Sequence, residues 1–139
     1  MNNYSISTDK ALLDINVIVD YLKNQSYWAK ERTEDAISKS IGNSFCFGVY
    51  DAEGKQIGFA RVVTDFAVFA WLMDVFILAE FQGQGLGSWL IREIISHPEL
   101  NTVMKWGLGT KDAHALYRKF GFTSLSKPEL MMERSGSEK

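Results

Sequence analysis

Residues 66–95 read FAVFAWLMDVFILAEFQGQGLGSWLIREII, and the order of features in this stretch decides the fold. Phe66 to Leu78 is almost wholly apolar, which predicts a central strand buried on both faces, with Asp74 as its only charge. Glycines follow on alternate residues at Gly83, Gly85 and Gly87. Leu86, Leu90, Ile94 and Ile95 then fall on one face of a helix stopped by His97 and Pro98. Strand, glycine loop and helix succeed one another directly. A loop of this kind lets several backbone N–H groups converge, because close approach is open only where side chains are absent. The helix adds its unpaired amides and positive dipole end, so a phosphate or pyrophosphate is the natural ligand. A tight strand-to-helix turn without a ligand is the plainer alternative.

Two other nucleotide-binding patterns fail on the letters. A P-loop needs Lys then Ser or Thr after its last glycine, but Gly87 leads into Ser88 and Trp89. A dinucleotide fingerprint spaces its glycines one and then two apart, near the start of a βαβ unit; here the spacing is one and one, after a hairpin. That hairpin is predicted over Ser44 to Tyr50 and Gln56 to Val63, with a turn at Asp51 to Gly54.

Upstream, Asp9 or Thr8 can cap a helix with Leu12, Ile15, Val19 and Leu22 on one face, and Thr33 can cap a second that ends near Gly42. Downstream, Thr102 to Gly109 reads as a strand, Thr110 or Asp112 starts a fourth helix ended by Gly121, and Leu125 to Met132 reads as one more strand. Residues 1–134 are expected to form a single domain and 135–139 a polar tail.

Composition narrows the function classes. With 139 residues and 46% hydrophobic content, one core is affordable and two are not. A formal charge of −2, from 15 basic and 17 acidic residues, gives no footprint for binding nucleic acid. No apolar run approaches the roughly 20 residues of a membrane span, so no membrane partner is expected. The lone Cys46 excludes an internal disulfide and fits a cytoplasmic location, as an inert buried thiol. No His, Cys or carboxylate cluster stands at ligand spacing, so no metal is expected. A homodimer is compatible with all of this.

At the glycine loop the sequence resembles the GNAT superfamily of N-acetyltransferases, whose signature is Gln or Arg, two residues, Gly, one residue, then Gly or Ala. Gln82, Gly85 and Gly87 match it. The family's next signature, Ala, two residues, Leu-Tyr and then Gly-Phe, is matched by Ala113, Leu116, Tyr117, Gly121 and Phe122. The resemblance implies acetyl-CoA as co-substrate. Its pyrophosphate would lie on the backbone of Gln82, Gly83, Gln84, Gly85, Leu86, Gly87 and Ser88, and its pantetheine arm along Val75, Phe76 and Ile77. Thr110, Ala113 and Tyr117 would be further cofactor contacts, although the family often has Asn where Thr110 stands and Thr110 can cap the helix instead. The implied fold is α/β: a mixed, mainly antiparallel sheet with about four helices, splayed between the strands at Trp71 to Leu78 and Thr102 to Gly109.

The implied chemistry is acetyl transfer to an amine by direct attack, with a strand amide steadying the oxyanion. Ala113, Leu116, Tyr117 and Phe120 share one helix face, so Tyr117 points inward; a phenol with a pKa of about 10 is a reasonable donor to a leaving thiolate of about 8.5. An ammonium must lose a proton before attacking, and Asp74 is the candidate base or acceptor anchor, with neutralisation by Arg61 on the neighbouring strand as the alternative. Tyr27 and Trp28 are candidate walls of the acceptor pocket. Asp65 reads as turn chemistry, and His97 and His114 as helix-end or surface residues. A small-molecule amine is the expected acceptor, with a peptide or protein N-acetyltransferase and a non-catalytic acyl-CoA sensor as the alternatives.

Overall fold

The computed structural model describes residues 3–136. The chain divides into two compact units, one ending at Gly109 and the other starting at Thr110. The first holds a five-stranded sheet in sequential order: β1 (Ser5–Ser7), β2 (Phe45–Tyr50), β3 (Gln56–Thr64), β4 (Phe69–Ile77) and β5 (Lys105–Leu108). Neighbours are antiparallel from β1 to β4, and β5 runs parallel to β4. This mixed sheet, with four α-helices among the described residues, is the expected α/β class.

The first unit carries α1 (Ile15–Asp20), α2 (Glu34–Gly42) and α3 (Leu86–Ile95). Helix α3 is the crossover that a parallel β4–β5 pair requires. Its apolar face, Leu86, Leu90, Ile91 and Ile94, is completely buried, worth about 1.5–3 kcal/mol per side chain. Ile18 and Leu22 with Ile37 and Ile41 of α2 pack into a cluster with Cys46, Phe59 and Phe76 of the sheet.

Two predicted segments need correction. Asp9 caps only a 3-10 turn at Lys10–Leu12, and the helix starts afresh at Ile15 under Asp14, whose side chain accepts from Asn16 N and Val17 N. Gln56 Oε1 fixes that start by accepting from Asp14 N at 2.6 Å, so Leu12 is left exposed. The strand expected at Leu125 to Met132 is absent. Pro128 begins a 3-10 turn there, and residues 123–136 are exposed, leaving no face for a strand to bury. Of the expected tail, residues 137–139 lie outside the described residues.

Pairing between β4 and β5 runs from Phe69↔Lys105 to Leu72↔Leu108 and stops. Gly107 permits this close approach, since a Cβ there would meet the Trp71 ring at 2.6 Å. Beyond Leu72, β4 keeps β3 on one edge and has no strand on the other among the described residues. This is the expected splay.

Candidate active site

The register of β3 and β4 slips at the head of that gap. Phe59 pairs with Phe76, but Arg61 pairs with Met73, so Asp74 and Val75 together face Ala60. This is a β-bulge, and Asp74 adopts a φ of 56° to make it, a conformation Asp tolerates better than most residues. Strict alternation would send Met73 and Asp74 to opposite faces. The bulge turns both toward Arg61, whose Nη2 lies 3.4 Å from Met73 Sδ and whose Nε donates to Asp74 Oδ2 at 2.8 Å.

Asp74 accepts from two more groups. Trp28 Nε1 reaches Oδ1 at 2.8 Å, and Arg32 Nη1 bridges Oδ1 and Oδ2 at 2.9 and 2.8 Å. The Asp74 side chain is 1% exposed, that of Arg61 8% and that of Arg32 27%. Burial opposes the charge on Asp74, but the bonds and charges of Arg61 and Arg32 outweigh it and hold the carboxyl below the usual carboxylate range. A carboxylate held in this way is a weak proton acceptor. Two guanidiniums on one carboxylate also leave a local excess of one positive charge. The ion pair between Arg61 and Asp74 is the alternative that the sequence left open. Arg32, and Ser44, which accepts from Arg61 Nη1 at 3.0 Å, were not foreseen. Arg32 sits in the irregular stretch before α2, where no periodicity points to its partner.

The glycine loop is continuous with the far end of β4. Gly83 and Gly85 have φ of 85° and 87°, which only glycine adopts freely, and Gly85 stands at the N-cap of α3, where it has no side chain to cap the helix. Gln82 Nε2 donates to Ile77 O at 2.8 Å and Gln84 Nε2 to Phe81 O at 3.0 Å, so both side chains brace the turn. Gly87, in the first turn of α3, has no positive φ, and a Cβ there would meet nothing within 4 Å. No neighbour in the chain requires glycine at that point, yet glycine costs a helix about 1 kcal/mol relative to alanine. An anion held by the amides at this helix end would use the space.

Of the expected pantetheine contacts, Val75 is half-buried, while the Phe76 side chain is core, stacked on Tyr21 at 4.1 Å, and Ile77 is buried. Gly58 faces Ile77 and has no room for a side chain, since a Cβ would lie 2.7 Å from Ile77 Cδ1. Tyr27 is exposed and meets Trp28 edge to face at 5.0 Å, so the two expected pocket walls stand together, with Trp28 tied to Asp74. Asp65 accepts from the amides of Ala67, Val68 and Phe69, the turn role expected for it. Burial pushes the Cys46 thiol up to about 11. Among the described residues no three His, Cys, Asp or Glu gather as metal ligands, and no helix is long and apolar enough to cross a membrane.

In the second unit, α4 (His114–Arg118) is shorter than expected. Thr110 Oγ1 accepts from Ala113 N at 3.1 Å and so braces the turn that leads into α4. The N-cap itself is Ala113, which has no side chain to cap the helix, so neither Thr110 nor Asp112 starts it as expected, and Gly121, at φ 91°, follows its end. Tyr117 is buried, with its ring edge to face against Phe122 at 5.8 Å; His114 on the same helix is exposed.

Residues 43–124 match the profile of the acetyltransferase (GNAT) domain. The chain belongs to the GNAT acetyltransferase family. Acetyl transfer is the activity that goes with this membership. A candidate acetyltransferase of Gibberella zeae, FG08082, is 32% identical over 84% of this GNAT chain and 77% of its own length. The crystal structure of a candidate GNAT acetyltransferase from Xanthomonas campestris pv. campestris is 40% identical, with a TM-score of 0.93 over 97% of this chain and 94% of that one. A GNAT acetyltransferase from Elizabethkingia anophelis, crystallised with acetyl-CoA bound, shares the fold at a TM-score of 0.67 and 19% identity, over 88% of this chain and 78% of that one.

Proposed function

We propose that this GNAT chain transfers an acetyl group from acetyl-CoA to an amine of a small molecule by direct attack. The observation that carries the reading is the cradle at Gln82–Gly87: uncapped amides at the start of α3, two glycines in left-handed conformations and an open space over Gly87. These features fit a pyrophosphate. The Elizabethkingia relative, with acetyl-CoA on the same fold, supports the choice of acyl donor.

When bound, acetyl-CoA supplies an activated thioester. The chain's part is to bind, orient and stabilise charge. The amides of Leu86, Gly87 and Ser88 hold the diphosphate, and the edge of β4 that β5 leaves unpaired offers its main chain to the pantetheine arm. The bulge at Asp74 and Val75 interrupts the β3 ladder, so a main-chain amide there is available for developing negative charge. Asp74, with its low pKa, serves to position Trp28 and Arg32 rather than to take a proton. Tyr117, on the strength of its motif and burial, is the donor to the departing thiolate. Incubation with acetyl-CoA and a panel of amines, followed by a thiol-reactive dye, tests the reading: release of free thiol dependent on a small amine supports it. CoA binding without release on any amine makes the chain a sensor.

A further inference from the structure

The two arginines on Asp74 are used differently. Every nitrogen of Arg61 is engaged: Nε with Asp74, Nη1 with Ser44 and Nη2 with Met73 Sδ, in a buried setting. Arg61 is part of the core. Arg32 makes both of its side-chain hydrogen bonds through Nη1 alone, and its side chain is 27% exposed. Its Nε and Nη2 bond to nothing among the described residues. Those two nitrogens form the side-on edge of the guanidinium, the edge that takes a carboxylate through two parallel bonds.

Asp74 cannot fill that role, since Trp28 and Arg32 occupy its Oδ1 and Arg32 and Arg61 its Oδ2. The cluster keeps one uncompensated positive charge, set next to Trp28 and the exposed Tyr27 ring. We infer that Arg32 is the specificity residue of the acceptor site and that the amine it selects carries a carboxylate, as an amino acid does. This inference rests on the amine-transfer reading above. One excess charge and one open fork match a single carboxylate; a phosphate would bring about two negative charges to the same place. Asp74 holds Nη1, so the fork is preorganised, and the aromatic pair offers contact area to the rest of the acceptor.

The test uses the full chain, acetyl-CoA and a set of amino acids, each supplied as the free acid, the methyl ester and the decarboxylated amine. The ester's amine is less basic than that of the free acid, so more of it is unprotonated at neutral pH and chemistry alone favours the ester. The inference expects the reverse: kcat/KM for the best free acid exceeds that of its ester by roughly tenfold or more, chiefly through KM, as a charge-assisted bidentate pair supplies. Arg32→Lys keeps the charge near Asp74 but removes the fork, and the preference collapses toward unity. Arg32→Gln does the same without the charge, and melting curves of both confirm a folded chain. Turnover of esters and plain amines at rates equal to or above the acids overturns the inference and leaves amine transfer standing. So does a preference for the acid that survives in both variants. Thiol release from no member of the set, with release on another amine of the panel, overturns the inference alone; release on no amine at all overturns the amine-transfer reading, and the inference with it.

Discussion

Arg61 Nε lies 2.8 Å from Asp74 Oδ2 across the β3–β4 pair, at the point where the pairing slips by one residue. The slip is what makes the contact. It turns Asp74 to the same face as Arg61, and Trp28 and Arg32 from the loop before α2 complete the shell around the carboxylate. The gap between β4 and β5 begins at the same residues, so one cluster ties the acceptor-side loop to the bulged strand.

Asp74→Asn removes the charge that two arginines share. Breaking a buried pair costs about 3–5 kcal/mol, and denaturant unfolding at pH 7 should show a loss of that order. The pH dependence has a definite sign. The folded pKa of Asp74 is lowered, so its contribution is complete above the unfolded carboxyl pKa of about 3.9 and is lost as pH falls through the lower folded value. At pH 3 the gap between wild type and variant should therefore be narrower than at pH 7. A gap that is equal at pH 7 and pH 3 would contradict the assignment.

Gly87→Ala should separate stability from binding. The added methyl meets nothing in the chain and replaces glycine in the first turn of a helix, so stability should rise by up to about 1 kcal/mol. The same methyl enters the proposed pyrophosphate cradle, and CoA affinity measured by calorimetry should fall roughly tenfold, the size of one charge-assisted bond. Gly85→Ala provides the contrast: at φ 87° it should destabilise the fold by about 1–2 kcal/mol. Undiminished CoA affinity in the Gly87 variant would place the diphosphate elsewhere.

Tyr117→Phe removes only a hydroxyl. If Tyr117 is the proton donor, kcat should fall by roughly 10²–10⁴-fold while CoA affinity stays near that of the wild type. Unchanged turnover with a lowered melting temperature would make Tyr117 a packing residue.

Cys46 should be silent in the native protein. With its thiol pushed up to about 11 by burial, little thiolate forms at pH 8, and a thiol reagent should label it only as the fold opens with denaturant. Prompt labelling of the folded chain would show that the cluster around Ile37 and Phe59 is not closed.

Much of this was legible in the sequence because it depends on local rules. Thr33 before Glu34 and Asp35 signalled the start of α2, and the Thr33 side chain does cap it. The apolar run before the glycine loop pointed to β4, although the strand takes only Phe69–Ile77 of it and buries one face fully and the other in part, because Asp65 holds Ala67 and Val68 in a turn; the spacing of Leu86, Leu90 and Ile94 pointed to α3. What was missed depends on distant partners. Ser5–Ser7 is too short and polar to show alternation, and becomes a strand because β2 offers it an edge. Asp9 satisfied every local rule for starting a helix, but Gln56, 42 positions beyond Asp14, fixes the start at the later residue. The bulge at Asp74 has no signature in the letters, yet it decides which face the carboxylate takes. Arg61 could be paired with Asp74 because hairpin strands are neighbours; Arg32 could not, because a loop has no register to count along.

The most direct test of the central claim follows the acetyl group itself. Acetyl-CoA and an amine that releases thiol are incubated with the chain and with Gly87→Leu, and thiol and acetylated amine are quantified together by dye and mass spectrometry. Equal amounts of thiol and acetylated amine are expected from the wild type, and neither from the folded Gly87→Leu chain. Thiol released without an acetylated amine, or full activity in the Gly87→Leu chain, would contradict the claim.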